Sequence, residues 1–489
     1  MAEFTPGQKE IAKKMMGKQI SAKDEQENVT YVSYLETERY ILEQILRPTH
    51  TTHTTHTTET TFLQFEKETS LIEEVNEFRS MAEDGVGEMV YKPIIDDLLR
   101  TRTVSLPTGA EEYGTIDLLI KEIRDFFSLY FELPIYYINI VSYLILFYWV
   151  YEKFPFVPYV HFVGRTSTGK TTAMEVFGSL CYKPIDASGA ITMSSIFRTA
   201  SGWRGTLLLD EFNTTGENYA EMLSFLKSGV SNRAVLRVEG DKQREVRAYM
   251  IKCPKIFTSE VPVSDAGLQS RTIVIKMEKN KRRIPLYRLK GYEEAVGKIR
   301  NKLLLWRFRN LNKINLTEIE YGFPELQSFD RRVQQVITPI FYFSGEETKK
   351  DIVEFAKKQE EETFRERREA LDGQIFQCIV DNYPIEPALK LITEIINKDR
   401  GIQRQYTEKK IANVIRKVLG FDIERRGSEN ISTVVLNDPK KMEELNDYYG
   451  CVLPVVSVVS VASVVNSTTN KDEIDQETRD IFLPIDVNR

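Results

Sequence analysis

Four residue types at fixed spacing near the middle of the chain could handle a triphosphate. Gly164 and Gly169 frame Arg165, Thr166, Ser167 and Thr168, and Lys170, Thr171 and Thr172 follow directly. This is the complete G-x-x-x-x-G-K-[ST] pattern. Glycines let backbone N–H groups close around phosphate oxygens without Cβ clashes, and a helix starting there adds unpaired N–H groups and its positive dipole end. Lys170 is placed to reach the β- and γ-phosphates, and the Thr171 hydroxyl to ligate Mg²⁺. A second chemical pair, Asp210 and Glu211, ends the aliphatic run Leu207-Leu208-Leu209. Carboxylates at the C-terminal end of a buried strand lie where open α/β sheets bind ligands. Asp210 would hold the hydration shell of Mg²⁺, and Glu211 would polarise the attacking water.

Two further positions belong to the same chemistry. The run Lys255-Ile256-Phe257 predicts a strand that ends in Thr258-Ser259, a polar group positioned to touch the γ-phosphate or orient water; spacing does not choose between the two. Arg271 stands just before another β-branched run and could stabilise charge on a neighbouring subunit's γ-phosphate. Between these landmarks, Ala234–Glu239 and Glu245–Ala248 flank a hairpin turn with Lys242 and Arg244 near its tip, cations that could follow a phosphate backbone.

The elements that must position these groups follow from periodicity. A strand before Gly164, a helix after Lys170 and alternating strands and helices across 160–278 predict a parallel α/β sheet with crossover helices. Residues 133–151 carry no charge, but Asn139, Ser142 and five tyrosines fit a helix buried on that sheet better than a membrane span. Upstream, Tyr40–Leu46 and residues 62–112 read as helical. The Thr/His-rich tract 49–61 reads as a linker rather than a metal site, although His50, His53 and His56 recur every third residue. Residues 357–368 read as a solvated charged helix. Beyond it, Leu371–Asn382, 388–397 and a helix capped by Thr407 and stopped by Gly420 precede two strands, 421–427 and 431–436. Helices followed by a hairpin suggest a winged helix-turn-helix, with Lys409, Lys410 and Arg416 on the exposed face of its recognition helix.

Composition sets wider bounds. A net charge of −6 over 489 residues excludes a globally basic nucleic-acid coat but not a local basic patch. The four cysteines are widely spaced and fit neither a zinc site nor a disulfide framework. With no charged-then-apolar order at the start, the expectation is a cytoplasmic protein without a membrane partner.

Taken in order, residues of about 115–345 resemble the AAA+ ATPase module of replicative helicases carried by plasmids, viruses and integrated elements. That group is related to minichromosome maintenance helicases and to the helicase part of primase-helicase proteins. The resemblance rests on the phosphate loop, the acidic pair, Leu226-Lys227-Ser228-Gly229, the hairpin and Ser270-Arg271-Thr272 in that sequence. It implies a phosphate-loop AAA+ domain of three layers (113–345), a helical N-terminal region (1–112), a charged connector (346–370), a winged helix (371–450) and a flexible tail (451–489). It also implies ATP and Mg²⁺ as cofactors, DNA and other replication proteins as partners, and a ring, hexameric in this family, that hydrolyses ATP between subunits. Lys170 and Thr171 match the family's phosphate loop, Asp210 and Glu211 its metal and water pair, Arg271 its arginine finger and Lys242 its pore contact. Where the family often has asparagine, Thr258-Ser259 stands here. Arg331 or Arg332 would be the lid arginine. The alternatives are an initiator or loader switch that does not unwind long duplexes, and a winged-helix DNA-binding regulator whose ATPase sets its assembly.

Overall fold

The structure is a computed structural model; it describes residues 28–47, 59–81, 88–187, 192–211, 219–239, 245–263, 265–398, 400–401, 404–426 and 430–451. These divide into two compact units, one ending at Thr363 and one beginning at Phe364.

The first unit opens with β-structure. Strands β1 (Val29–Val32), β2 (Tyr34–Glu36), β3 (Tyr40–Leu46), β4 (Thr60–Glu66), β5 (Ile72–Val75), β6 (Phe78–Met81) and β7 (Glu88–Pro93) build two small sheets, ordered β1-β7-β6 and β2-β3-β4-β5. The helical expectation for this region is therefore corrected: among the described residues before 112 the only helix is the short turn Asp97–Arg100. The reason lies in β3. Ile41, Leu42, Ile45 and Leu46 fall at helix-like spacing, because the strand also buries two polar residues, Glu43 and Gln44. Both are satisfied. Gln44 donates to the Ile94 carbonyl at 2.7 Å and accepts from the Ile94 N–H at 3.1 Å. Glu43 accepts from the Tyr182 hydroxyl at 2.9 Å and pairs with Lys183 at 3.1 Å and Arg307 at 2.6 Å. Buried polar groups with partners broke the alternation that marks a strand. Residues 48–58, with the three spaced histidines, lie outside the described residues.

Next come α1 (Ile116–Tyr130) and α2 (Ile135–Tyr148). Helix α2 is the uncharged stretch, and it is interior: Ile138 and every residue from Ile140 to Tyr148 are buried. Its polar atoms are used, with Ser142 donating to the Ile138 carbonyl at 2.7 Å and Tyr148 to the Pro158 carbonyl at 3.0 Å. No described helix is long and apolar enough to cross a membrane.

Strand β8 (Tyr159–Val163) leads into the phosphate loop and α3 (Lys170–Ser179). The remaining elements are β9 (Ile185–Asp186), α4 (Met193–Trp203), β10 (Leu207–Leu209), α5 (Tyr219–Ser228), hairpin strands β11 (Ala234–Glu239) and β12 (Glu245–Met250), then β13 (Lys255–Ser259) and β14 (Thr272–Lys276). Five of these strands form one all-parallel sheet, ordered β14-β8-β13-β10-β9. Strand β13 lies between the phosphate-loop strand and the acidic-pair strand. That interposition decides the site, because a side chain at the end of β13 faces both. Helices α6 (Lys290–Asn310), α7 (Arg331–Phe343) and α8 (Glu346–Glu369) follow, the last containing the charged run and the boundary between the units.

In the second unit, α9 (Leu371–Asn382), α10 (Leu389–Asn397) and α11 (Glu408–Val414) precede an antiparallel hairpin, β15 (Asp422–Arg426) and β16 (Ile431–Val435). Helix α11 starts where Thr407 Oγ1 accepts from the Lys410 N–H at 3.3 Å. It tightens into a π-turn, Ile415–Leu419, and stops at Gly420, whose φ is +71°. A fourth helix, α12 (Pro439–Tyr449), carries Pro439 at its first turn and an Asp438 cap. The sequence reading did not include it, although Asp438-Pro439 is a helix-start signal. This unit has its own core, centred on Phe376, Ile392, Ile411, Ile415 and Val434.

Candidate nucleotide site

At the C-terminal edge of the parallel sheet, the loop between β8 and α3 turns back on itself. Ser167 and Gly169 adopt left-handed φ of +65° and +83°. Gly164 has no room for a side chain: a Cβ there would stand 2.6 Å from the Met277 carbonyl oxygen and 2.8 Å from Thr168 Oγ1. The loop is thus held tight against the chain leaving β14. Thr168 Oγ1 donates to the Arg165 carbonyl at 2.8 Å, and Lys170 Nζ donates to the same carbonyl at 3.0 Å. The lysine is folded over the mouth of its own loop, and Thr166 donates to the Glu260 carboxylate. Thr172 follows in the first turn of α3.

The structure brings the acidic pair to this loop. Asp210 Oδ1 accepts from the Thr171 hydroxyl at 3.2 Å and from the Thr258 hydroxyl at 2.6 Å. The Glu211 backbone N–H donates to the same Asp210 oxygen and to Thr258 Oγ1, each at 3.0 Å. Register explains this meeting. Leu209 lies beside Phe257, so Asp210 and Thr258 are the next positions on adjacent parallel strands. Side chains alternate along β13, so Ser259 faces elsewhere: its hydroxyl donates to the Val261 carbonyl and lies 2.7 Å from His161 Nε2. Spacing had left Thr258 and Ser259 open, and Thr258 is the one joined to Asp210.

Glu211 has φ +51°, an uncommon conformation for a non-glycine residue and one that concentrates at functional sites. The turn ends β10 sharply and leaves the Glu211 side chain exposed while its N–H stays bonded inward. The carboxylate is free to meet water at the phosphate edge.

A hard cation fits here. Thr171 and Asp210 present a hydroxyl and a carboxylate oxygen beside the phosphate loop, which suits Mg²⁺ because that ion takes one or two protein oxygens and completes its shell with phosphate and water. Clusters of three or more His, Cys, Asp and Glu that could hold a metal alone are absent among the described residues.

Beneath the loop, His161 is buried and stacked on Phe257 with ring centroids 4.4 Å apart. Burial pushes its pKa down to about 3, so the imidazole is neutral. It underpins the floor of the site, a residue that sequence reading treated only as part of the strand.

Arg271 is not at this edge. The Tyr159 N–H donates to its carbonyl at 3.1 Å, which places Arg271 at the start of β14 and of β8. The phosphate loop leaves the other end of β8, about 16 Å away at ~3.3 Å per residue. Arg271 is half-buried, donates to the Gly267 carbonyl, and keeps a buried Nε with no partner among the described residues. Burial first, and the neighbouring Arg332 second, pull its pKa down. A half-buried cation beside a like charge is a place an anion would relieve.

The hairpin carries no described tip. Lys242 and Arg244 lie outside the described residues. Arg237, named with them in sequence, is bound to its own unit: it pairs with Glu221 at 2.6 Å and sits 4.4 Å over the Phe197 ring. In the second unit Lys409, Lys410, Asn413, Arg416 and Lys417 are all exposed along α11 and its π-turn. Arg426, by contrast, is paired with Glu386 and Glu424.

No family model matches the chain, and no curated protein matches it. Among solved structures it is similar to an SCCmec type IV Cch active helicase, at 13% identity and TM-score 0.41, over 86% of this chain and 80% of that one. It is also similar to the apo A form of the NrS-1 C-terminal region, at 15% identity and TM-score 0.36, over 74% and 82%. A third similarity is to the JCV helicase, at 14% identity and TM-score 0.24, over 50% and 60%. Superpositions this loose assign neither family nor function to the chain, whose own residues have to carry any reading.

Proposed function

We propose that the protein is a Mg²⁺-dependent ATP hydrolase that couples hydrolysis to movement on DNA, a helicase or translocase of replication, in a mobile element. The observation that carries the hydrolase is the convergence of Thr171, Thr258 and the Glu211 N–H on one oxygen of Asp210, directly beside the phosphate loop. In this reading Lys170 leaves the Arg165 carbonyl for the β- and γ-phosphates. Thr171 and Asp210 hold Mg²⁺, which supplies electrostatic stabilisation of the transferring phosphoryl group. Thr258 keeps Asp210 oriented, and Glu211 accepts the proton of the attacking water. Positioning and electrostatics do most of the work in phosphoryl transfer, and this arrangement supplies both.

The coupling to DNA rests on less, and on different residues. The order of motifs resembles replicative AAA+ helicases. Arg271, too far from its own phosphate loop to act there, would act on the loop of a neighbouring copy, as a ring of subunits (a hexamer in the resembled family) requires. The unit 371–450 would be a winged helix meeting DNA phosphates with Lys409, Lys410 and Arg416. Lys242 and Arg244 would contact DNA from the hairpin, and residues 113–345 would be the ATPase domain.

Glu211→Gln tests the assignment of roles. It should bind ATP as the wild type does yet hydrolyse it at least about 100-fold more slowly, the usual contribution of a general base. Binding by isothermal titration and turnover by phosphate release read the two separately. Unchanged turnover would move the base elsewhere.

A further inference from the structure

The chain leaving β14 forms a strap along the nucleotide site. The Met277 N–H donates to the Val163 carbonyl at 2.7 Å, and the Met277 carbonyl closes on Gly164. Three residues on, Asn280 Nδ2 lies 3.8 Å from where a Gly169 Cβ would be. The Lys281 and Arg282 N–H groups donate to the Glu132 carboxylate at 2.8 and 3.2 Å. Tyr287 then donates its hydroxyl to Glu175 on α3, and Arg288 pairs with the same carboxylate at 3.1 Å. The strap thus passes Gly164, Gly169 and Glu175 in turn, pinned at each end and in the middle. It is a fixed second wall beside the phosphate loop and the first turns of α3.

One atom on that wall is unexplained by the fold. Asn280 Oδ1 is shut off from solvent and accepts no hydrogen bond among the described residues. A buried amide oxygen without a donor is costly, and each such case calls for a reason. The phosphates cannot supply one, because at neutral pH a triphosphate bound to Mg²⁺ offers acceptors. The donor has to come from the uncharged part of a nucleotide.

We propose that Asn280 reads the base of the bound nucleotide and makes the site prefer adenine to guanine. The proposal rests on the nucleotide-site reading above. An amide side chain presents one acceptor beside one donor. Adenine offers the matching pair, an exocyclic 6-amino donor beside the N7 acceptor, and so takes both bonds. Guanine offers N7 and O6, two acceptors. Whichever way the amide is turned, one of its two groups then faces nothing complementary. The discrimination is intrinsic to the amide and does not depend on which of its atoms is labelled oxygen.

The test is steady-state hydrolysis of ATP and GTP by the full chain, wild type against Asn280→Ala and the volume-retaining Asn280→Leu, with thermal unfolding of each as the folding check. The wild type should favour ATP in kcat/KM by about tenfold or more, the discrimination expected of a two-bond contact to a base edge. Both variants should lose that preference through a higher KM for ATP while KM for GTP stays put. Retained ATP preference in a folded variant would overturn the proposal. So would equal weakening of ATP and GTP, which would put the amide on the sugar, and so would a wild type indifferent to the base. These outcomes are separable from failure of the underlying reading, in which the wild type would hydrolyse neither triphosphate in a Lys170-dependent way.

Discussion

His161 shows how a residue outside the chemistry can still set the conditions for it. It lies under the phosphate loop, 1% exposed, against Phe257 and Ser259. With its pKa held at about 3, against about 6.5 for a free imidazole, it stays neutral while the unfolded chain takes up a proton. The unfolded state therefore binds more protons between about pH 3 and 6.5. The stability His161 contributes is complete above 6.5 and is lost as pH falls through that window, by about 2 kcal/mol at pH 5. In His161→Phe the drop in unfolding free energy between pH 7 and pH 5, measured by urea titration at each pH, should be smaller than in the wild type by about that amount. An identical drop would show that this histidine is not the titrating group. At the same scale, the phosphate loop and acidic pair were legible because their spacing is tied to backbone geometry. The choice of Thr258 over Ser259 was not, because it depends on which face of β13 turns to β10. Asn280 was invisible for a related reason: its significance comes from the wall it stands on, and nothing adjacent in sequence announces it.

At the scale of elements, local signals were reliable where they reported one segment's own preferences. Thr407, Gly420 and the apolar spacing of α9 to α11 located helices that the structure reproduces to within a residue or so. They misled where tertiary partners decide. Tyr40–Leu46 carries helical spacing, yet it forms β3 because Glu43 and Gln44 find buried partners that come from far along the chain. Glu43 joins the N-terminal strands to the rest of the first unit through Lys183 and Arg307, and Arg307 in turn pairs with Glu152 and lies 4.7 and 4.5 Å from the rings of Tyr34 and Tyr182. Removing one partner of a buried ion pair leaves uncompensated charge. Glu43→Gln should therefore lower the stability of the first unit by about 3 kcal/mol or more. The exposed Glu38→Gln should stay within about 0.5 kcal/mol of the wild type. Chemical denaturation of both variants measures this, and equal stabilities would mean that the strand is held by its apolar contacts alone.

For the whole molecule, a parallel sheet with the phosphate loop at one edge and Arg271 at the other separates two functions that must meet across copies of the chain. The alternation of strands and helices made the α/β class readable. The β-rich N-terminal part did not announce itself, since its strands pack into the same core as the helices, with Phe65 stacked on Phe308 at 5.2 Å. The central claim is a nucleotide-driven motor on DNA. Its most direct measurement is ATP hydrolysis by the full chain with and without single-stranded DNA, for the wild type and Lys170→Ala. The account predicts hydrolysis stimulated by DNA in the wild type and a loss of at least about 100-fold, with no stimulation left, in the variant. Lysine-dependent hydrolysis indifferent to DNA would contradict the motor and favour a switch, and turnover that survives Lys170→Ala would contradict the site itself.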